Sequence, residues 1–173
     1  MKIKPVIFDK ISTKHTSFEV DFTLEINITF IFGDSGTGKS ATFYFIKELA
    51  AQDKTIKCYN YLDKNKNYKS AIKQSKGKLF VIDNADILLD DDLRSFISSD
   101  GLNQYIIIGR NPKELLLDQS EIYTLKSTTV NGKTTFTLEK YFEWQNAYNT
   151  YIETIRSTIS QIQTIFIKEI NVQ

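Results

Sequence analysis

The sequence predicts an α/β fold on a mostly parallel central sheet, with antiparallel strands at its N-terminus and a hairpin and helix at its C-terminus. Three observations carry this. The short apolar runs "KLFVID" and "QYIIIG" have the composition of strands buried on both faces, and they alternate with stretches of helical length. A third run, "LEINITFIF", ends in a glycine-rich stretch that opens directly into "SATFYFIKELA". Near the other end, Asn131-Gly132 lies between "EIYTLK" and "KTTFTLEKY", the strongest short hairpin signal in the chain.

From the N-terminus, "KPVIFDKI" and "SFEVDF" read as two short strands around a polar turn, and "LEINITFIF" as a third. "SATFYFIKELA" has helical length and good helix formers at its C-terminal end. "TIKCYNYL" is strand-like, "KNYKSAIKQSK" a surface helix, and "KLFVID" a buried strand. "DDDLRSFISS" opens with aspartates suited to a helix start, and "QYIIIG" is again a buried strand. "PKELLL" reads as a short helix before the hairpin. From about Glu143, the residues Trp144, Tyr148, Tyr151, Ile155, Ile159, Ile162 and Phe166 recur at spacings of three and four, which predicts a long amphipathic helix. Its β-branched end, "TIFIKEI", is also compatible with a strand.

At 173 residues and 41% hydrophobic, the chain suits one domain, residues 1–142, with the helix 143–173 packed on it. Twenty-two basic and twenty-one acidic residues leave a net charge of +1, so no global field points to nucleic acid or an anionic membrane. No segment has the roughly 18 uninterrupted apolar residues of a membrane span, and "MKIKPVIFDK" has no signal-like apolar region, so a cytoplasmic protein is expected. Cys58 is the only cysteine and His15 the only histidine, which excludes an internal disulfide and a Cys/His zinc cage. Cys58 is expected buried in a strand, and His15 solvated in the turn "STKHTS".

The chemistry concentrates in "GDSGTGKS". Gly33, Asp34, Ser35, Gly36, Thr37, Gly38, Lys39 and Ser40 match G-x-x-x-x-G-K-[ST], between a strand and a helix as that pattern requires. The glycines let backbone N–H groups converge on phosphate oxygens without Cβ clashes, and the helix N-terminus adds partial positive charge. Lys39 is the candidate bridge to the terminal phosphates, and Ser40 the candidate hydroxyl ligand of Mg²⁺. The bland alternative is a glycine-rich turn without a ligand. Asp83, at the end of "KLFVID", is the candidate magnesium carboxylate; the alternative is a structural helix cap.

With one strand between the two motif strands and another after the second, the pattern resembles the additional-strand catalytic-Glu class of P-loop NTPases. That resemblance implies a sheet of order 5-1-4-3-2, ATP and Mg²⁺ as ligands, and a polar sensor after the next strand, where Gly109-Arg110 stands. The "D-x-x-D" ending at Asp83 and Asp86, with Arg110, is similar to the signal-transduction ATPases with numerous domains and other AAA-like ATPases. The strands before the loop resemble the antiparallel subsheet of ABC-type and RecF-type ATPase heads, although "LSGGQ" is absent. The resemblance covers about residues 20 to 112 and is specific only at the glycine loop.

One departure bears on the reaction. Where hydrolytic members carry Glu as base, this chain has Asn84, which can orient a water but cannot take its proton. Asp86 is the candidate substitute. The expectation is an ATP-binding protein, a slow Mg-dependent ATPase that uses Lys39, Asp83, Asp86 and Arg110 and serves as a switch or drives a partner. The alternatives are a nucleotide-gated binding module with little hydrolysis and a small-molecule kinase, though only three arginines are present to build a lid. ATP is favoured over GTP because "NKNY" lacks the aspartate of a guanine-reading Asn-Lys-x-Asp and precedes the second motif. Between Lys54 and Lys78 lie eight lysines with Tyr59, Tyr61 and Tyr68 among them; Asp53 and Asp63 dilute the charge, so tight DNA binding is not expected. A homodimer through the terminal helix is open but not favoured, and a protein partner is open.

Overall fold

The computed structural model describes residues 4–112 and 115–170, with the side chains of 143, 144, 146–148 and 163–170 outside that description. The strands are β1 (Lys10–Lys14), β2 (Phe18–Thr23), β3 (Ile28–Phe32), β4 (Ile56–Tyr59), β5 (Leu79–Ile82), β6 (Gln104–Gly109), β7 (Ile122–Val130) and β8 (Lys133–Lys140). The α-helices are α1 (Lys39–Gln52), α2 (Tyr68–Gln74), α3 (Ala85–Leu88), α4 (Asp91–Ser99) and α5 (Tyr141–Ile170).

The expected parallel-dominated sheet of order 5-1-4-3-2 is corrected. All eight strands join one mixed sheet, in the order β1-β2-β8-β7-β3-β6-β5-β4. Two antiparallel pairs, β1–β2 and β7–β8, are built into it, and parallel pairing links the remaining neighbours. The reason lies in the hairpin. Asn131 and Gly132 take φ of 50° and 76°, the left-handed values of a two-residue turn, and close the ladder at Val130 and Lys133. Such a hairpin still presents unpaired N–H and C=O groups along both outer edges. One edge pairs Ile122 to Thr124 with Phe30 to Phe32 of β3; the other pairs Thr134 to Phe136 with Phe18 to Val20 of β2. The hairpin expected near the C-terminus therefore splices the N-terminal strands into the sheet.

Alternation along the buried strands divides the core between two faces. Phe80, Ile82, Tyr105 and Ile107 pack with Tyr68 and Ile72 of α2, Leu88 of α3, and Leu93 and Ile97 of α4. Leu79, Val81, Ile106 and Ile108 face the other way, with Phe43 and Ile46 of α1 and with Ile11, Val20, Phe22 and Phe136 of the antiparallel strands. Gln104, fully buried at the start of β6, accepts from the N–H groups of Ile7 and Phe8, both at 2.8 Å, and so fastens the N-terminal segment to the sheet.

Smaller expectations are also revised. The helix at "PKELLL" falls partly on residues 113 and 114, outside the description, and 115–117 are not helical. The four-residue α3 has no counterpart in the sequence reading. His15 is not simply solvated: its ring lies 4.5 Å from that of Phe45, and Nε2 is 3.4 Å from Glu48. Cys58 lies in β4, partly buried, and burial pushes its thiol up to about 12. The chain divides into two compact units, Met1–Tyr141 and Phe142–Gln173. The second is helical as far as Ile170, so "TIFIKEI" is not a strand. Tyr151, Ile155, Ile159 and Ile162 of its apolar stripe are exposed; Trp144, Tyr148 and Phe166 lie outside the described side chains.

Candidate functional site

Parallel pairing of β3, β5 and β6 puts their C-terminal ends on one side of the sheet, and the three segments that leave those ends meet there. They enclose a cleft of about 410 Å³. Ser35, Gly36, Gly38, Lys39 and Ser40 line it from the glycine loop, Asp83, Asn84 and Asp86 from the end of β5, and Gly109 and Arg110 from the end of β6. Gly33, Asp34 and Thr37 do not line it; they hold the lysine.

The loop takes its shape from glycine. Gly36 and Gly38 have φ of 86° and 92°, where a side chain is strained. At Gly38 space is also closed, since a Cβ there would lie 2.6 Å from Cε1 of Phe136. Gly38 is the N-cap of α1 and has no side chain to accept from the first turn, whose residues Lys39, Ser40 and Ala41 line the cleft. The Lys39 ammonium donates to the Gly33 carbonyl at 2.7 Å, to the Asp34 carbonyl, and to Thr37 Oγ1 at 3.0 Å. Burial lowers its pKa, Arg110 adds to that, and Asp34 and Asp83 oppose it.

Across the cleft, Asp83 is buried. Burial raises its pKa, against the Asn84 N–H at 2.8 Å, the Ser40 hydroxyl and the Lys39 charge, all of which favour the carboxylate. Ser40 and Asp83 thus line the same cleft. Among the described residues no cluster of three His, Cys, Asp or Glu side chains could hold a metal, so a cation here would draw its remaining ligands from phosphate oxygens and water. Asn84 has left-handed φ and ψ of 56° and 45° and caps α3. Asp86 Oδ2 accepts from the Arg110 N–H at 2.9 Å and Oδ1 from the Asn111 N–H at 3.2 Å. Arg110 in turn donates from Nη2 to Ser35 Oγ at 3.1 Å.

The sequence reading misses Phe136, whose ring forms the floor under Gly38. The signal was the alternation in "KTTFTLEK", which puts Phe136 and Leu138 on one face. It also misses the two amides held by Asp86, which no side-chain pattern announces. The lysine stretch lies outside the cleft lining, and three of its eight lysines pair with aspartates: Lys66 with Asp63 at 2.7 Å, Lys69 with Asp90, and Lys73 with Asp92 at 2.5 Å. Asp90 also caps α4 through the Leu93 N–H at 3.0 Å.

The sequence matches no model of a known protein family, and a comparison with curated proteins gives no match. Among the described residues, no helix is long and apolar enough to cross a membrane.

Proposed function

We propose that the chain binds Mg·ATP in the cleft and hydrolyses it slowly, as a switch or to drive a protein partner. The observation that carries the reading is the meeting of Lys39 and Ser40, at the start of α1, with the buried Asp83 at the end of β5. A cation, a hydroxyl and a desolvated carboxylate around a glycine-shaped loop suit a polyanion paired with a hard divalent ion. The resemblance of Gly33–Ser40 to the loop of P-loop NTPases supports the same ligand.

In this reading the loop amides and Lys39 hold the phosphates, and Lys39 leaves its carbonyl partners to do so. Ser40 and Asp83 would hold Mg²⁺, which neutralises charge on the transferred phosphoryl group. Lys39 and Arg110 add positive charge where negative charge develops. Asn84 can orient a water but cannot accept its proton. Positioning and charge neutralisation therefore support turnover without a strong base, and the rate is low. The kinase alternative is less favoured, because the chain has only three arginines, of which Arg110 lines the cleft, to build a lid. ATP is favoured over GTP on the sequence argument alone.

Phosphate release at saturating Mg·ATP tests the reaction. The expected rate is below about 10 s⁻¹, the median for enzymes, and is abolished by chelation of Mg²⁺. Asn84→Glu should raise it. A rate that ignores Mg²⁺ would contradict the proposal; no gain from Asn84→Glu would favour the second reading, a nucleotide-gated binding module.

A further inference from the structure

We infer that Asp86 is a positioning residue for Arg110, and that its carboxylate sets how the site distinguishes a third phosphate. Three contacts carry the inference. Both carboxylate oxygens of Asp86 accept backbone N–H groups, from Arg110 at 2.9 Å and Asn111 at 3.2 Å. The Arg110 guanidinium extends from that fastened backbone to Ser35 Oγ at 3.1 Å, within the glycine loop. The end of β6 is pressed onto the same short helix, since a Cβ on Gly109 would lie 3.4 Å from Cβ of Ala85 and 3.0 Å from Cζ of Phe30.

These contacts form one chain of cause. The left-handed Asn84 turns the backbone away from β5 and starts α3, which places Ala85 against Gly109 and Asp86 beside the next two amides. A carboxylate accepting two amides fixes the orientation of both peptide units, and with them the direction in which Arg110 leaves the strand. Asp86 is therefore engaged with the Arg110–Asn111 backbone as an acceptor, and its inferred part is to position Arg110 rather than to take a proton. A guanidinium has five N–H donors in a planar fork suited to phosphate oxygens, and its approach to Ser35 brings that charge to the loop. For what Arg110 meets there, the inference rests on the Mg·ATP reading; the anchoring by Asp86 does not.

Two measurements separate these parts. Amide hydrogen exchange without nucleotide reads the anchor: at Arg110 and Asn111 it should be faster in Asp86→Ala than in wild type and intermediate in Asp86→Asn, which retains one oxygen acceptor. Unchanged exchange at both amides in Asp86→Ala overturns the anchor. Calorimetry with the β,γ-imido analogue of ATP and with ADP, both with Mg²⁺, reads the consequence. Arg110→Ala should lower the preference for the analogue over ADP by about tenfold, the scale of a typical coupling between groups. Asp86→Ala should lower it similarly, and the double variant no further, because the two residues act as a unit. Asp86→Asn should keep most of the preference and a measurable part of the turnover, with the pH–rate profile unshifted. Additive losses in the double variant, or Asp86→Asn that abolishes turnover with the preference intact, would overturn the inference and return Asp86 to the role of base. If Asp86→Ala fails to fold, exchange in Asp86→Asn decides the anchor: faster exchange than wild type at Arg110 or Asn111 supports it, and unchanged exchange at both overturns it. Wild type that binds neither nucleotide defeats the Mg·ATP reading, and the exchange result still decides the anchor.

Discussion

Two regions of this protein set lysines beside aspartates, with opposite results. On the surface joining α2 and α4, Lys69 and Lys73 each have a carboxylate of their own, Asp90 and Asp92, and Lys66 has Asp63. In the cleft, Lys39 donates to two carbonyls and a hydroxyl, while Asp83 accepts from the Asn84 amide and lines the same space as Ser40. The difference is geometric. Exposed helices let long side chains find partners, whereas the cleft fixes its groups on strand ends and a loop with little freedom to pair. A count of lysines therefore identifies the crowded region, and only the burial and partners of each charge identify the one suited to a ligand.

The comparison is most directly broken at the loop itself. Gly38→Ala adds a Cβ 2.6 Å from the Phe136 ring at a backbone φ of 92°. Strain of this kind costs about 1–3 kcal/mol, so denaturant melts should show that loss together with loss of nucleotide binding. Phe136→Ala opens a cavity of its own in the core, so Gly38→Ala is compared on that background as well. It should cost less there than in the wild type, because the clash is gone, but still cost something, because the backbone strain remains; no cost on that background would show that φ at Gly38 is unimportant.

Charge state sharpens it next. Burial holds the Asp83 pKa above its ordinary value in the folded protein. Its contribution to stability is thus favourable below the unfolded-state pKa and is lost as pH rises through the folded one. Above the folded pKa the ionised carboxylate is a cost, and there Asp83→Asn should raise the melting temperature while weakening Mg²⁺-dependent nucleotide binding. A lower melting temperature would contradict this. For Lys39 the shift is downward, so affinity for a polyanion should be full below its folded pKa and fall as pH rises through it, earlier than for a surface lysine. Lys39→Ala should remove that alkaline fall.

The surface lysines should respond least. Substituting Lys69 and Lys73 by alanine removes exposed ion pairs, which contribute little; Lys66 is kept because its partner Asp63 is buried. Melting should change slightly, nucleotide binding not at all, and filter binding should show no tight DNA affinity before or after. Submicromolar DNA affinity lost in this variant would reverse the comparison.

Much of the cleft is legible in the sequence because its parts are side chains and glycines at fixed spacing. Gly33 to Ser40 and Asp83 end strands whose apolar runs announce them, and the parallel pairing of β3 with β6 and β6 with β5 does the rest. The hairpin turn is legible for the same reason, since Asn131-Gly132 encodes its own dihedrals. Its splice to β2 and β3 is not, because edge pairing uses backbone groups that every residue carries. Asp86 is a similar case: a carboxylate that is read from the sequence as a base accepts two backbone amides 24 and 25 residues away. The four-residue α3 is too short to leave a period, and the left-handed Asn84 before it takes a conformation seen more often in Gly or Asn than elsewhere.

The most direct test is calorimetry of Mg·ATP with the wild-type chain and with Lys39→Ala, with Mg·GTP in parallel. The account predicts one site per chain in the wild type, weaker affinity for GTP, and binding at least about tenfold weaker on loss of Lys39, the scale of a charge-assisted phosphate contact. No binding to the wild type, or undiminished binding to Lys39→Ala, would contradict it.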